Sequence, residues 1–269
     1  MFLITGATGT IGRAVTRLLL ARGAEVTAVT RDPDAGLPPA VRRIHPDDLT
    51  GLGTLEGVLI SPRATAGTLG DVLARKAERA VLLSAVTVQE PAGYARFREE
   101  FQRAERAVLE TAPAWTVLRC TDFAANALSW AGRIRAGAGV HGAYAGARTS
   151  TVDERDVAAV AALALTEPDH AGHTYVLTGE ESLTQADRVA AIGAAIGRPL
   201  EFTEVAPEDV RRGLLAAGLP GEVPDRLLGS LADYARRPGP TTDTVRRLLG
   251  RPATTFSHWA ADHRAAFTA

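Results

Sequence analysis

The sequence predicts an α/β fold, in which helices cover both faces of a parallel sheet and a smaller, mostly helical C-terminal lobe follows. Short apolar runs alternate with amphipathic helical patterns as far as residue 120. Strands that alternate with helices in this way pair in parallel. The first apolar run ends in a glycine-rich turn that opens a helix, which is the layout of a βαβ unit.

Each element has its own signal in the sequence. The predicted strands cover residues 2–5, 25–30, 41–45, 57–61, 80–84, 115–119 and 173–177. One helix follows the glycine-rich turn, and others are predicted at 67–79, 93–111, 153–168 and 184–197. Gly23 marks the end of the first helix, because glycine is the usual residue just past a helix. Thr184 is a suitable N-cap for the helix that follows it.

Charge and composition exclude several classes of protein. The formal net charge is −1, which argues against a nucleic-acid or anionic-membrane surface. No apolar run reaches the roughly 20 residues that a membrane span needs. The single cysteine, Cys120, excludes an intrachain disulfide and a cysteine-based metal site. We therefore expect a cytoplasmic protein with no bound metal, no nucleic acid and no membrane partner.

The glycine-rich turn has the pattern of a dinucleotide-binding loop. In GATGTIG, Gly6 allows a sharp turn off the strand, Gly9 lets the backbone approach a pyrophosphate, and Gly12 lets the helix pack closely. The helix N-terminus offers free N–H groups to the phosphates. The position between a strand and an amphipathic helix supports this reading over a turn without a ligand. The residues expected to bind the cofactor here are Gly6, Thr8, Gly9, Thr10, Ile11 and Gly12.

The end of the second strand bears on the choice of cofactor. An acidic residue there would bind the ribose 2′-hydroxyl, whereas an arginine accommodates a 2′-phosphate. The strand ends in Arg31, and Asp32 comes one position late. Arg31 could instead be a solvated residue paired with Asp34. We favour NADP(H) over NAD(H).

Several segments together resemble one family, the NmrA-like atypical short-chain dehydrogenases/reductases. The segments are GATGTIG (6–12), VTR (29–31), DL (48–49), LISP (59–62), residues 105–126, DERDVAAVAALAL (153–165), HTYVLTGEESLT (173–184) and TTFSHWAADHRAAF (254–267). The resemblance covers nearly the whole chain. It implies an NADP-binding Rossmann domain with a small substrate lobe. Members include quinone and azo reductases, ketoreductases and redox sensors that bind the cofactor without turnover.

The resemblance also implies roles for further residues. Asp48 would lie near the adenine, and Ser61 and Pro62 would border its ribose. Ser84 and the strand end at Arg119 and Cys120 would flank the nicotinamide. The family often has proline where this chain has Cys120. We expect residues 1–125 to form the Rossmann domain, with 150–178 returning to it, and residues 126–149 and 179–269 to form the substrate lobe.

The usual proton donor of short-chain dehydrogenases is missing. Those enzymes place a tyrosine four residues before a lysine on one helix face, and the only lysine here, Lys76, has no such tyrosine. In one frame, Tyr94 and Arg98 take the two positions. In the other, anchored on Glu105, Phe97 and Phe101 take them, and no side chain on the helix supplies a proton. We favour the second frame and leave both open.

Other candidates come from strand ends and from the lobe. Ser84 ends a strand at the carboxyl edge, where it could bind a substrate carbonyl or merely satisfy the backbone. A mostly apolar substrate pocket, with packing in the lobe as the alternative, is expected from Val86, Phe123, Asn126, Trp130 and Tyr144.

These observations favour an NADPH-dependent oxidoreductase that transfers hydride to a small quinone or carbonyl compound, since the nicotinamide carries the chemistry and the protein positions the acceptor. A small aromatic or carbonyl molecule is the expected partner, and the protein is a monomer or a homodimer. Two alternatives are a regulatory protein that senses NADP(H) and a non-redox enzyme of natural-product metabolism on the same fold.

Overall fold

A computed structural model describes residues 1–32, 34–65, 67–74, 77–90 and 95–268, without the side chains of residues 50 and 95–97. The chain divides into two compact units. Unit 1 consists of Met1–Val88, Glu99–Cys120 and Glu154–Leu177. Unit 2 consists of Gln89–Arg98, Thr121–Asp153 and Thr178–Ala269.

Unit 1 is built on a seven-stranded sheet. Its strands are β1 (Phe2–Thr5), β2 (Val26–Val29), β3 (Arg42–Ile44), β4 (Leu55–Ile60), β5 (Ala77–Ala85), β6 (Trp115–Cys120) and β8 (His173–Leu177), while β7 (Val140–Gly142) belongs to unit 2. The strand order is β3-β2-β1-β4-β5-β6-β8, and every pairing is parallel. This order is that of a Rossmann sheet extended by one strand, and it confirms the predicted fold class.

Helices cover both faces of this sheet. They are α1 (Thr10–Ala21), α2 (Leu69–Leu73), α3 (Ala95–Thr111), whose first residues belong to unit 2, and α5 (Glu154–Thr166). Leu3 and Leu82 point to one face, where they share a core cluster with Val108 of α3. On the other face, α1 packs on α5, and Gly57 leaves room for Leu165 of α5. Strands β1 and β2 are buried along their whole length, as expected for strands covered on both sides.

The boundary between the second predicted helix and the next strand differs from the sequence prediction. Residues 67–79 were predicted to be helical, but α2 ends at Leu73 and β5 already begins at Ala77. The pairing with β4 begins with Leu55 opposite Ala77, and Arg79 Nε donates to Leu165 O at 2.7 Å. Tertiary pairing therefore overrides the local helical pattern.

Unit 2 is mainly helical. Its helices are α4 (Ala131–Arg135), α6 (Gln185–Ala195), α7 (Pro207–Ala216), α8 (Glu222–Arg236), α9 (Thr244–Leu249) and α10 (Phe256–Asp262). Thr184 caps α6 as predicted and forms a capping box with Asp187. A core cluster gathers Trp259 of α10 with Ile192 of α6. The short strand β9 (Phe202–Glu204) pairs in parallel with β7, a small sheet that the sequence did not predict.

The strand order places a ligand site in unit 1. Strand β1 lies between β2 and β4, so the chain leaves β1 at the point where the order of the strands reverses. Ligands of open α/β sheets bind at the carboxyl ends of the strands around such a point. In the described residues, no helix combines the length and the apolar character that a membrane span requires.

Gly12 provides a test of the packing between α1 and the turn after β1. A Cβ on Gly12 would lie 2.2 Å from Gly6 O, so we expect Gly12→Ala to destabilise the protein by about 3 kcal/mol or more. Gly70→Ala in α2, where an added Cβ meets nothing within 4 Å, is the matched control and should stabilise by up to about 1 kcal/mol. Urea denaturation measures both changes, and equal stabilities for the two variants would contradict this packing.

Candidate functional site

The turn after β1 forms a cradle of backbone N–H groups. Gly6 has φ +66°, a conformation that glycine adopts without strain. Gly9 is exposed, and a Cβ there would meet only Gly6 O, at 3.3 Å. Gly9 is also the N-cap of α1 and makes no side-chain cap. The first N–H groups of the helix are therefore free for an anion, and the space in front of them is open.

A short bridge holds β1 against β4 beside this cradle. Thr5 Oγ1 donates to Leu59 O at 2.9 Å and accepts from Ser61 N at 2.8 Å. A Cβ on Gly6 would lie 3.1 Å from Ser61 Cβ, so the turn after β1 lies directly against Ser61. Ser61 and Pro62 are both half-buried. The two residues proposed for the adenine ribose thus adjoin the loop proposed for the pyrophosphate.

Arg31 is available to a ligand. It is exposed just past β2, and it makes no ion pair with a described residue. Arg31 and Asp34 form no ion pair in the described chain, and Asp34 N donates to Asp32 Oδ1 at 2.9 Å in a local turn. Asp48 is exposed on the 3₁₀ turn Pro46–Gly51, which follows β3.

Arg13, which sequence reasoning missed, joins the two loops of this cradle. Its Nε donates to Thr8 O at 2.8 Å, in the glycine-rich turn. Its Nη2 and Nη1 donate to Ala35 O and Gly36 O at 2.7 and 2.9 Å, in the loop after β2. Arg13 therefore fixes the distance between the loops predicted to hold the pyrophosphate and the 2′-phosphate. Its place directly after the third glycine was the only signal in the sequence.

A buried carboxylate organises the carboxyl ends of β5 and β6. Ser84 and Arg119 are paired in register, and Glu105 of α3 reaches both. Ser84 Oγ donates to Glu105 Oε1 at 2.5 Å, and Arg119 donates to the same carboxylate from Nε at 3.0 Å and from Nη2 at 2.7 Å. Because the Ser84 hydroxyl donates its proton in the hydrogen bond to Glu105, only its lone pairs are left for another group. Ser84 can accept a hydrogen bond from a ligand N–H or O–H but cannot donate one to a carbonyl.

Both frames for the helix fall partly outside the described residues, and Glu105, the anchor of the second frame, belongs to this network. Tyr94 and Lys76 are not described, and neither is the Phe97 side chain. Arg98 is half-buried, and its Nε has no partner among the described residues. Phe101 is half-buried. The assignment of a proton donor on α3 stays a prediction.

Cys120 and Val86 lie at the same edge of the sheet in unit 1. Both are buried, Cys120 as the last residue of β6 and Val86 in the 3₁₀ turn after β5. Burial raises the pKa of the Cys120 thiol to about 12, so it stays protonated and acts as a small apolar residue.

The other predicted substrate residues all belong to unit 2. Phe123 and Tyr144 are half-buried, and Tyr144 is the single non-glycine residue of the described chain with positive φ, at 58°. Asn126 Nδ2 donates to Asp122. The guanidinium of Arg188 lies over the ring of Trp130, 5.8 Å from its centroid. Their role toward a substrate stays a prediction.

The fold and the cradle define a class, the dinucleotide-binding Rossmann proteins. The chain belongs, within that class, to the NmrA-like atypical short-chain dehydrogenases/reductases, whose cofactor is a nicotinamide dinucleotide. The model of the NAD-dependent epimerase/dehydratase family matches residues 2–86, which contain the glycine-rich turn.

Two relatives carry this assignment, and a solved structure shares the fold. The (4-alkanoyl-5-oxo-2,5-dihydrofuran-3-yl)methyl phosphate reductase of Streptomyces griseus is 32% identical, with 99% of each chain covered. The NAD(P)H azoreductase of Xenophilus azovorans is 31% identical, with 100% of each chain covered. The NADPH-dependent quinone oxidoreductase of Escherichia coli, solved with NADPH, superposes with a TM-score of 0.80 at 21% identity over 97% of this chain and 99% of that one.

The clamp formed by Arg13 leads to a prediction about cofactor affinity. Arg13→Lys keeps the charge but cannot reach three carbonyls at once, so we expect NADPH to bind about tenfold more weakly. Arg17→Lys on the same helix, where Arg17 is exposed and bonded to no described residue, is the control and should bind NADPH as the wild type does. Titration of NADPH fluorescence measures both, and equal affinities for the two variants would refute the clamp.

Proposed function

We propose that the protein is an NADPH-dependent oxidoreductase that reduces a small quinone or carbonyl compound without a Tyr–Lys pair. The observation that carries the proposal is the cradle at the N-terminus of α1, where Gly9 leaves open space and the first N–H groups are uncapped. A pyrophosphate fits this donor set because free N–H groups at a helix N-terminus favour an anion. The family and the two reductases among the relatives support redox chemistry.

Each residue of unit 1 then has a defined task. The turn from Gly6 to Gly12 would hold the pyrophosphate, Arg31 the 2′-phosphate, and Asp48, Ser61 and Pro62 the adenosine. Thr8, Thr10 and Ile11 complete the loop. A guanidinium suits the 2′-phosphate because it can form two parallel hydrogen bonds to the phosphate oxygens. This assignment favours NADP(H) over NAD(H).

At the reacting end, the nicotinamide supplies a hydride when bound, and the protein orients the groups around it. Ser84, whose hydroxyl donates to Glu105, would accept a hydrogen bond from an amide N–H. Val86 and Cys120 would provide an apolar border. A quinone that gains a hydride still needs one proton to become a hydroquinone. The anion left after hydride transfer to a quinone is a stabilised phenolate, which can wait for its proton from water, so no tyrosine is required for such an acceptor.

The remaining assignments complete the proposal. Phe123, Asn126, Trp130 and Tyr144 would contact an aromatic or carbonyl substrate. We place the protein in the cytoplasm, since its one cysteine is buried and needs no oxidising compartment. We expect a monomer or a homodimer. A regulator that binds NADP(H) without turnover is the alternative that the first experiment distinguishes.

The decisive experiment follows NADPH oxidation at its near-ultraviolet absorbance band with a panel of quinones and hydroxylated aryl ketones. We expect turnover well above the uncatalysed rate. Gly9→Asp should abolish it, because a carboxylate would occupy the place of the pyrophosphate and repel it. Tight binding of NADPH without turnover on any acceptor would refute the reductase and favour the sensor.

The choice of cofactor has a separate test. Arg31→Ala should weaken NADPH binding about tenfold or more, the contribution of a charge-assisted pair, and should leave NADH binding unchanged. Arg17→Ala, an exposed residue of α1, serves as the control for the loss of a surface charge. Calorimetric titration with both cofactors gives the ratio. An unchanged NADPH dissociation constant in Arg31→Ala would exclude this role of Arg31.

A further inference from the structure

Unit 2 contains a buried arginine whose guanidinium is only partly used. Arg188 of α6 is 5% exposed. Its Nη1 donates to Asp122 Oδ2 at 2.9 Å, while its Nε is buried without a partner among the described residues. Buried donors are nearly always hydrogen-bonded, and an unpaired charged one is costly. The vacant Nε therefore calls for an explanation.

Two threonine hydroxyls in the same unit share this condition. Thr149 and Thr151 are each 5% exposed, and both Oγ1 atoms lack a partner among the described residues. Residues two apart in an extended segment project to the same side. Ser150, between them, uses its hydroxyl elsewhere, in a bond of 2.6 Å with Thr241. The two free hydroxyls thus belong to one face of this segment.

The pairing of backbone segments brings that face to Arg188. Phe123 and Val152 form a parallel bridge, which sets the preceding residues, Asp122 and Thr151, side by side. Asp122 in turn holds Arg188. At the other end of the segment, Thr149 bridges to Leu183, the residue before the N-cap of α6. These pairings place Thr149, Thr151 and Arg188 on adjoining segments at the start of α6.

The chemistry of these donors selects an oxyanion. The Nε–H and one Nη2–H of an arginine point in parallel and match two oxygens of a carboxylate or a phosphate. Because Asp122 takes Nη1, that edge of Arg188 is left over. The hydroxyls of Thr149 and Thr151 can donate to the same group. The three donor atoms are buried, while Asp122 beside them is one-third exposed, so an oxyanion would enter next to Asp122. Trp130, under the guanidinium, offers an apolar ring beside it.

We propose that Arg188, Thr149 and Thr151 bind a carboxylate or phosphate carried by the substrate, so that the natural acceptor is an anionic quinone or carbonyl compound. This deepens the proposed function and rests on it. The residues predicted to contact the substrate in the lobe, such as Phe123 and Trp130, belong to the same unit as these three, and we therefore assign the cluster to the substrate.

The test compares a naphthoquinone that bears a propionate side chain with its methyl ester, which removes the charge and adds only a methyl group. A third compound with a phosphate ester on the same ring distinguishes the two oxyanions. Arg188→Gln should raise KM for the charged acceptors about tenfold or more, with KM for the ester and the affinity for NADPH unchanged. Arg212→Gln, a surface arginine with a side chain 76% exposed, is the matched control and should change none of these values.

Variants of the two threonines give the more discriminating test, because a purely structural role of these hydroxyls would not change KM for the acid alone. Thr149→Val and Thr151→Val keep the shape and remove a hydroxyl that has no partner in the described chain, so the unfolding temperature should stay equal or rise. We nevertheless expect KM for the acid to increase several-fold in each variant. Equal effects on acid and ester, or no effect of the valines on the acid, would overturn the proposal.

A failure of the proposed function can be told apart from a failure of this inference. If the wild type reduces none of the naphthoquinones, the reductase is refuted, and calorimetric titration with naphthoate, naphthyl phosphate and the uncharged naphthamide decides the anion site alone. The site is supported if a charged probe binds to the wild type and binds more weakly to Thr151→Val. Equal affinity for the three probes, or no binding of any, excludes it.

Discussion

At the carboxyl end of β1, the backbone of α1 approaches Gly6 so closely that Gly12 has no room for a side chain. This contact sets the position of the helix, and with it the direction of its uncapped N–H groups. It also positions Arg13, the next residue, to donate hydrogen bonds to the carbonyls of two loops. Since β1 lies where the strand order reverses, one close backbone contact places a set of anion donors at the point where open α/β sheets bind ligands.

The second constraint is the carboxylate of Glu105. A buried carboxylate is costly unless every lone pair is used, and here a bidentate arginine and a serine share it. The network ties α3 to two neighbouring strands, and it also limits the chemistry at their ends. A serine whose hydroxyl already donates a hydrogen bond to a carboxylate cannot donate one to a carbonyl. The acceptor therefore has to be a molecule that becomes electrophilic without help from this residue.

The parts of the structure that depend on local pattern could be predicted from the sequence. The strand and loop at residues 2–12 carry their own signals, and Thr184 was recognised as a cap because capping is a matter of neighbouring residues. The start of β5 was not found, since only the pairing of Ala77 with Leu55 makes that segment a strand. Strands β7 and β9 have three residues each, too few to show an alternating pattern.

For the site, residue types at strand ends were predictable but their partners were not. Ser84 was identified from its place at the carboxyl edge. Its role as an acceptor depends on Glu105, which lies 21 positions further along the chain. The spacing of residues in the sequence does not show that Glu105 faces Ser84. Arg188 had even less signal, because in the sequence it is one arginine in an ordinary amphipathic helix, and only the fold brings it to Asp122.

The unused donors of Thr149, Thr151 and Arg188 connect stability with recognition. Three buried polar atoms without partners, on Thr149, Thr151 and Arg188, lower the stability of the free protein, and apolar residues of similar shape would remove that cost. A chain selected for stability alone has no reason to keep them. A ligand that satisfies all three on binding recovers the lost hydrogen bonds, and a neutral analogue leaves them unpaired. That asymmetry is how polar sites discriminate strongly between otherwise similar molecules. In the proposed reductase, selectivity of this kind would come from how the substrate is held.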